Sequence, residues 1–144
     1  MIEFHISPEL IGLAIGKKGA RIKQIEKDSK VTSVNVNGET GRIMIVGPDS
    51  ASVQQARELL ELQEESLPLK PYQVDWLSNR YNAGTLNDIK TVSDLIVARV
   101  SKENSSLDIV GTVPAVRSAK FMISTQLEYV DKQIEIEAME RESR

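Results

Sequence analysis

At 144 residues the chain fits one ordinary domain or two small ones in tandem. It is 40% hydrophobic and 27% charged, with 18 Lys+Arg against 21 Asp+Glu for a formal net charge of −3, a globular composition that is neither disordered nor fibrous. With no cysteine, disulfides, thiolate metal sites, iron–sulfur clusters and cysteine nucleophiles are excluded, and the lone His5 cannot build a multi-histidine metal site or a relay. No apolar run approaches the ~18 residues that span a bilayer, and no secretory start is present, so no membrane contact and a reducing, intracellular location are expected.

The acidic total conceals a polarised chain. Residues 15–30 hold Lys17, Lys18, Arg21, Lys23, Lys27 and Lys30 against Glu26 and Asp28, a local net of +4. Residues 127–144 reverse the sign, with a local net of −3.

Ile2, Phe4 and Ile6 alternate with Glu3 and His5, the period of a half-buried strand that points His5 away from the apolar face. Ser7-Pro8-Glu9 predicts a helix start with Ser7 as N-cap, and the helix carries Leu10, Ile11, Leu13 and Ala14, with Gly12 and Gly16 limiting it to about two turns. After Gly19, the spacing of Ala20, Ile22 and Ile25 predicts a second helix with Arg21, Lys23, Gln24 and Lys27 on its other faces. A strand from Val31 to Val36, a turn from Asn37 to Gly41 and a strand from Arg42 to Val46 read as a hairpin. Gly47-Pro48-Asp49-Ser50 then opens a third helix through Val53, Ala56, Leu59, Leu60 and Gln63. The order is β-α-α-β-β-α.

Leu67-Pro68-Leu69-Lys70-Pro71 reads as a short joint, after which the same order begins again, with Pro71-Tyr72 to Leu77 as its opening. Gly84, Leu86 and Ile89 echo Gly19, Ile22 and Ile25, and the run Leu107 to Gly111 followed by Val116 and Ala119 echoes Ile43 to Gly47 followed by Val53 and Ala56. Leu95 to Val100 and Leu107 to Gly111 read as strands around the turn Asn104-Ser105-Ser106. A final helix from Ala115 runs on through Phe121, Met122, Leu127, Val130 and Ile134 into a strongly charged end. Two copies of one small α+β unit are expected, 1–66 and 67–144, each a three-stranded antiparallel sheet packed on three helices.

The chemistry concentrates in Ile15-Gly16-Lys17-Lys18-Gly19-Ala20-Arg21-Ile22-Lys23-Gln24-Ile25. Two short helices meet at a loop with glycine at both ends, so the backbone can turn sharply and bring its N–H groups and the next helix start close to a phosphate. Lys17 and Lys18 add charge there, and with no nucleophile or metal ligand alongside, the loop holds a backbone instead of cleaving one.

Ile-Gly-x-x-Gly-x-x-Ile-x-x-Ile, after one strand and before a hairpin and helix, resembles the eukaryotic-type (type I) KH, or K-homology, RNA-binding domain. Leu10-Ile11-Gly12-Leu13-Ala14-Ile15-Gly16 and Ala56-Arg57-Glu58-Leu59-Leu60-Glu61 are similar to the first KH domain of the fragile X mental retardation protein family, and the helix near Leu127-Glu-Tyr-Val to the close of that family's second. The resemblance implies a non-catalytic module for single-stranded RNA with no cofactor, acting in cytoplasmic ribonucleoprotein particles or granules on messenger RNA translation or stability. Its contact residues would be Ile15, Gly16, Lys17, Lys18, Gly19, Arg21, Ile22 and Lys23. Ile25 reads as core, Ile15 and Ile22 as core or as groove, and Val34, Val36, Arg42 and Met44 as the groove's other wall or as strand packing. The second phosphate loop falls on Tyr81-Asn82-Ala83-Gly84, degenerate because Tyr81 replaces the first glycine. Tyr72 and Trp76 read as core or as base-stacking planes. The competing reading is a protein-docking or dimerisation scaffold that uses the second unit and the acidic terminal helix.

Overall fold

The opening alternation forms strand β1 (Ile2–His5), which buries Phe4 and leaves Glu3 and His5 exposed. In the computed structural model, which describes residues 1–143, the chain divides after Gln63 into two compact units.

In the first unit, Pro8 begins a 3-10 turn (Pro8–Leu10) that continues into helix α1 (Ile11–Ile15). The Ser7 side chain does not cap it; the Ser7 carbonyl accepts from the Leu10 N–H at 2.9 Å. Helix α2 (Ala20–Ser29), strands β2 (Ser33–Val36) and β3 (Arg42–Val46) and helix α3 (Ser50–Leu60) follow. Asp49 caps α3 by accepting from the Ser52 N–H at 2.8 Å, which holds its carboxyl below the usual carboxylate range.

Strand β3 lies between β1 and β2 and is antiparallel to both, with Ile45 opposite Ile2 and Val34, and Ile43 opposite Phe4 and Val36. Side chains alternate along each strand, so these apolar residues share one face, on which Ile43 and Ile45 are fully buried. The register corrects one expectation. Val34 and Val36 are on this inner face, whereas Arg42 and Met44 fall on the opposite one with Glu3 and Asn35, so the four do not form one wall. Arg42 is also occupied, its guanidinium forming a two-point ion pair with Glu3.

The second unit repeats the element order from an earlier start than expected. Helix α3 ends at Leu60, and strand β4 (Leu62–Pro68) follows almost at once, so Gln63 is on a strand and Leu67-Pro68 closes that strand instead of forming a joint. A proline is tolerated there because β4 is an edge strand, in the sheet order β4-β6-β5. Pro71 opens helix α4 (Pro71–Ser78), which a 3-10 turn (Arg80–Asn82) joins to helix α5 (Ala83–Ser93). Strands β5 (Val97–Ser101) and β6 (Ser106–Thr112) pair antiparallel, and helix α6 runs from Val113 to Glu142 with Thr112 as its N-cap.

This unit's core joins Leu69, Val74, Leu77, Ile89, Leu95, Leu107, Ile109, Val116 and Ile123. On α6 the inward stripe is Val116, Ala119, Ile123 and Val130, and Phe121 stands off it, 76% exposed. Further along α6, Asp131 accepts from the Tyr72 hydroxyl at 2.6 Å and the Gln73 amide at 2.9 Å, and Tyr129 meets Trp76 edge-on at 6.4 Å. Tyr72 and Trp76 therefore fasten α4 to α6, and neither presents a free plane for a base.

Truncating Ile43 or Ile109 to alanine is expected to cost about 2–5 kcal/mol in denaturant unfolding, since each is fully buried. The Tyr72–Asp131 bond gives a pH signature. Hydrogen bonds from Tyr72 and then Gln73 lower the Asp131 carboxyl, and the bond to Asp131 raises the Tyr72 hydroxyl. Stability from Asp131 is thus present above its unfolded pKa and lost as pH falls through its lowered folded value. That from Tyr72 is present below its unfolded pKa and lost as pH rises through its raised one. Asp131→Asn should flatten both limbs of the stability-versus-pH curve measured by thermal unfolding; an unchanged curve would remove this bond from the account.

Candidate nucleic-acid interface

Helices α1 and α2 are joined by Gly16-Lys17-Lys18-Gly19, which closes into one tight 3-10 turn (Lys17–Gly19). Its sharpness comes from three residues at positive φ: Gly16 at 77°, Lys18 at 55° and Gly19 at 75°. The Gly16 N–H donates to the Gly12 carbonyl at 3.1 Å, and the Gly19 N–H to the Gly16 carbonyl at 3.2 Å.

The two glycines do different work. A Cβ on Gly16 would stand 2.5 Å from the Arg21 Cβ and 2.9 Å from its backbone nitrogen, so the turn closes onto the first residues of α2 with no room for a side chain. A Cβ on Gly19 would meet nothing within 4 Å, so that position needs glycine only for its left-handed backbone.

Arg21 explains why the turn is held. Its guanidinium donates to the Ala14 carbonyl at 3.2 Å and the Leu59 carbonyl at 2.5 Å, tying together the ends of α1 and α3 from the first turn of α2. Arg21, expected beside the lysines as a contact residue, has its guanidinium engaged within the fold. Lys17, Lys18 and Lys23 are exposed. Ile15 and Ile22 are half-buried, Ile25 is buried, and Val34 and Val36 are half-buried on the helix-facing side of β2, beside α2. An exposed cationic turn thus adjoins a partly covered apolar strip. Such a surface can receive a phosphate backbone on one side and bases on the other.

Caps place the corresponding turn of the second unit differently from the sequence reading. Gly16 precedes the first turn as its N-cap, and Asn79 precedes the second, so Asn79-Arg80-Tyr81-Asn82 stands where Gly16-Lys17-Lys18-Gly19 does. Gly84, expected to end this loop, is inside α5, which is one residue longer than α2 at 11 residues against 10. Matching Gly84 to Gly19 therefore places the loop too late in the chain, past the turn. None of residues 79–84 has a positive φ. Asn79 accepts from the Tyr81 N–H at 2.9 Å, and the Asn82 amide donates to the Trp76 carbonyl at 2.9 Å. The signal for the correct placement was in the sequence, because Asn is a strong N-cap.

Among the described residues no cluster of three or more His, Cys, Asp or Glu could hold a metal, and no helix is long and apolar enough to cross a membrane.

Gly19→Ala should cost about 1–2 kcal/mol, the price of a left-handed residue with a Cβ. Gly16→Ala should cost clearly more, because Arg21 must move as well. Chemical denaturation of the two variants decides this, and equal losses would contradict the packing of Gly16 on Arg21.

Residues 1–62 match the KH domain family. A polyribonucleotide nucleotidyltransferase from Sulfurimonas denitrificans is 34% identical over 58 residues, which is 40% of this chain and 8% of that enzyme's length. Among solved structures, Dim2p from Pyrococcus horikoshii aligns over 83% of this chain and 86% of its own at 22% identity, with a TM-score of 0.45. A second structure, a complex of a/eIF2alpha, aDim2p and rRNA from the same organism, aligns over 92% of both chains at 20% identity and a TM-score of 0.46. The KH domain match thus falls on the first unit of this α+β chain.

Proposed function

We propose that the chain is a non-catalytic module for single-stranded RNA whose first unit clamps the phosphate backbone. The observation that carries this is the exposed Lys17-Lys18 pair, set between two left-handed glycines and held in place from behind by Arg21, within the KH domain match. Lys17 and Lys18 contact phosphates, Lys23 supports them, Gly16 and Gly19 admit the backbone, and Ile15, Ile22, Val34 and Val36 line the strip where bases rest. The β-α-α-β-β-α order and the sheet orders β1-β3-β2 and β4-β6-β5 support reading both units as eukaryotic-type KH folds, the second without a phosphate-binding glycine turn. A role in messenger RNA translation or stability in cytoplasmic ribonucleoprotein particles rests on the sequence resemblance to the fragile X family alone.

A second reading is favoured by one feature of the second unit. Phe121 and Val92 are 76% and 72% exposed, and Phe121 lines a shallow apolar cleft with Ile89 and Met122. Exposed rings of this kind mark protein contacts, so a protein partner or a second copy would dock there, with the acidic end of α6 alongside.

Binding to a pool of short single-stranded RNAs at two salt concentrations tests the leading reading. Wild type should bind weakly and lose affinity as salt rises, with a slope of about −0.7 in log K per log salt for each phosphate neutralised. Lys17→Asp/Lys18→Asp, which alters only exposed side chains, should lose that binding while remaining folded. Wild-type protein that binds no RNA at low salt would leave protein docking as the function.

A further inference from the structure

The turn of the second unit differs from the first in side chains and in backbone conformation. Arg80 and Tyr81 occupy the places that Lys17 and Lys18 hold in the first unit. The backbone no longer presents the left-handed geometry of a phosphate cradle, yet Tyr81 is held out into solvent, 80% exposed. Its placement is not slack. Asn79 caps its N–H, the side chain of the next residue, Asn82, donates to the Trp76 carbonyl, and the Arg80 guanidinium rests over its ring at 5.0 Å while donating to its hydroxyl at 3.0 Å. One face of the phenol thus carries a cation.

An exposed tyrosine ring offers a flat apolar face with a polar edge, a shape on which a base can stack. Its neighbours along the chain are polar or small: Ser78, Asn79, Arg80, Asn82, Ala83 and Gly84. The exposed apolar Val92 is at the far end of α5, so Tyr81 does not extend that patch. A lone, rigid aromatic plane backed by a guanidinium and set in polar surroundings suits a flat, polar-edged, anionic ligand better than an apolar protein side chain. A nucleobase stacks on the open ring face while Arg80 answers its phosphate.

We infer that Tyr81, with Arg80, is a second single-stranded RNA contact, which holds a base by stacking and so complements the phosphate clamp of the first unit. This rests on the reading that the chain binds single-stranded RNA.

The test uses the whole chain and a single-stranded RNA of about twelve nucleotides bearing 4-thiouridine. Wild type, Tyr81→Ala, Tyr81→Phe and Lys17→Asp/Lys18→Asp are compared by titration, and the photocrosslinked residues are mapped by mass spectrometry. Tyr81→Ala should weaken binding about ten-fold, Tyr81→Phe should bind like wild type, and Tyr81 should be among the crosslinked residues. The inference is overturned if Tyr81→Ala binds like wild type and no crosslink falls on Tyr81. Should Lys17→Asp/Lys18→Asp still lose binding in that case, the clamp stands and Tyr81 belongs to a protein contact. Equal weakening by Tyr81→Phe and Tyr81→Ala would also overturn stacking, since the hydroxyl and not the ring would then matter. If wild type binds no RNA, the clamp reading fails with it.

Discussion

The first unit depends on the contact between Gly16 and Arg21. With no side chain at position 16, the chain can fold back until the α1 end touches the α2 start, and the Arg21 guanidinium then reaches two carbonyls that their own helices leave unsatisfied. A charged donor answering such carbonyls is worth more than a neutral one, and it locks three helix ends together. Because that lock is made from behind, Lys17 and Lys18 are left facing solvent. A turn fixed in advance loses little conformational entropy when a ligand arrives, so its few contacts count toward affinity.

The second unit shows the same frame built with other chemistry. Buried Ser93 follows buried Ile89 as Ser29 follows Ile25, and Lys30 and Asp94 both end their helices in the left-handed conformation. The turn itself is held by asparagine side chains in place of glycine geometry. The long helix α6 is secured by Asp131 on Tyr72 and Gln73, a bond with no counterpart described in the first unit, where α3 stops at Leu60. Recognition can diverge in such a pair because the turn residues are exposed and contribute little to the core.

Much of the frame was legible in the residues. Strands announced themselves by alternation at Ile2, Phe4 and at Ile43, Ile45, and helix starts by Pro8 and Asp49. The readings that failed did so where a local rule met a tertiary one. Pro68 looked like a joint because proline breaks central strands, but β4 is an edge. Arg21 looked like one more surface cation, and no local pattern reveals that its partners lie on α1 and α3. Arg42 and Met44 were grouped with Val34 and Val36 by proximity in the hairpin, whereas pairing register decides the face. The second turn was misplaced because Gly84 looks like the counterpart of Gly19, whereas it lies inside α5, and the cap residue Asn79 marks the turn instead.

The central claim is that the Gly16–Gly19 turn is where this chain meets RNA. Backbone amide chemical shifts followed while a short single-stranded RNA is titrated into the whole chain test it residue by residue. The amides of Gly16 to Ala20 should move most, with Ile22 and Val36 beside them, and the shifts should shrink as salt is added. Saturable shifts confined to other residues, with the amides of Gly16 to Ala20 unmoved, would contradict it.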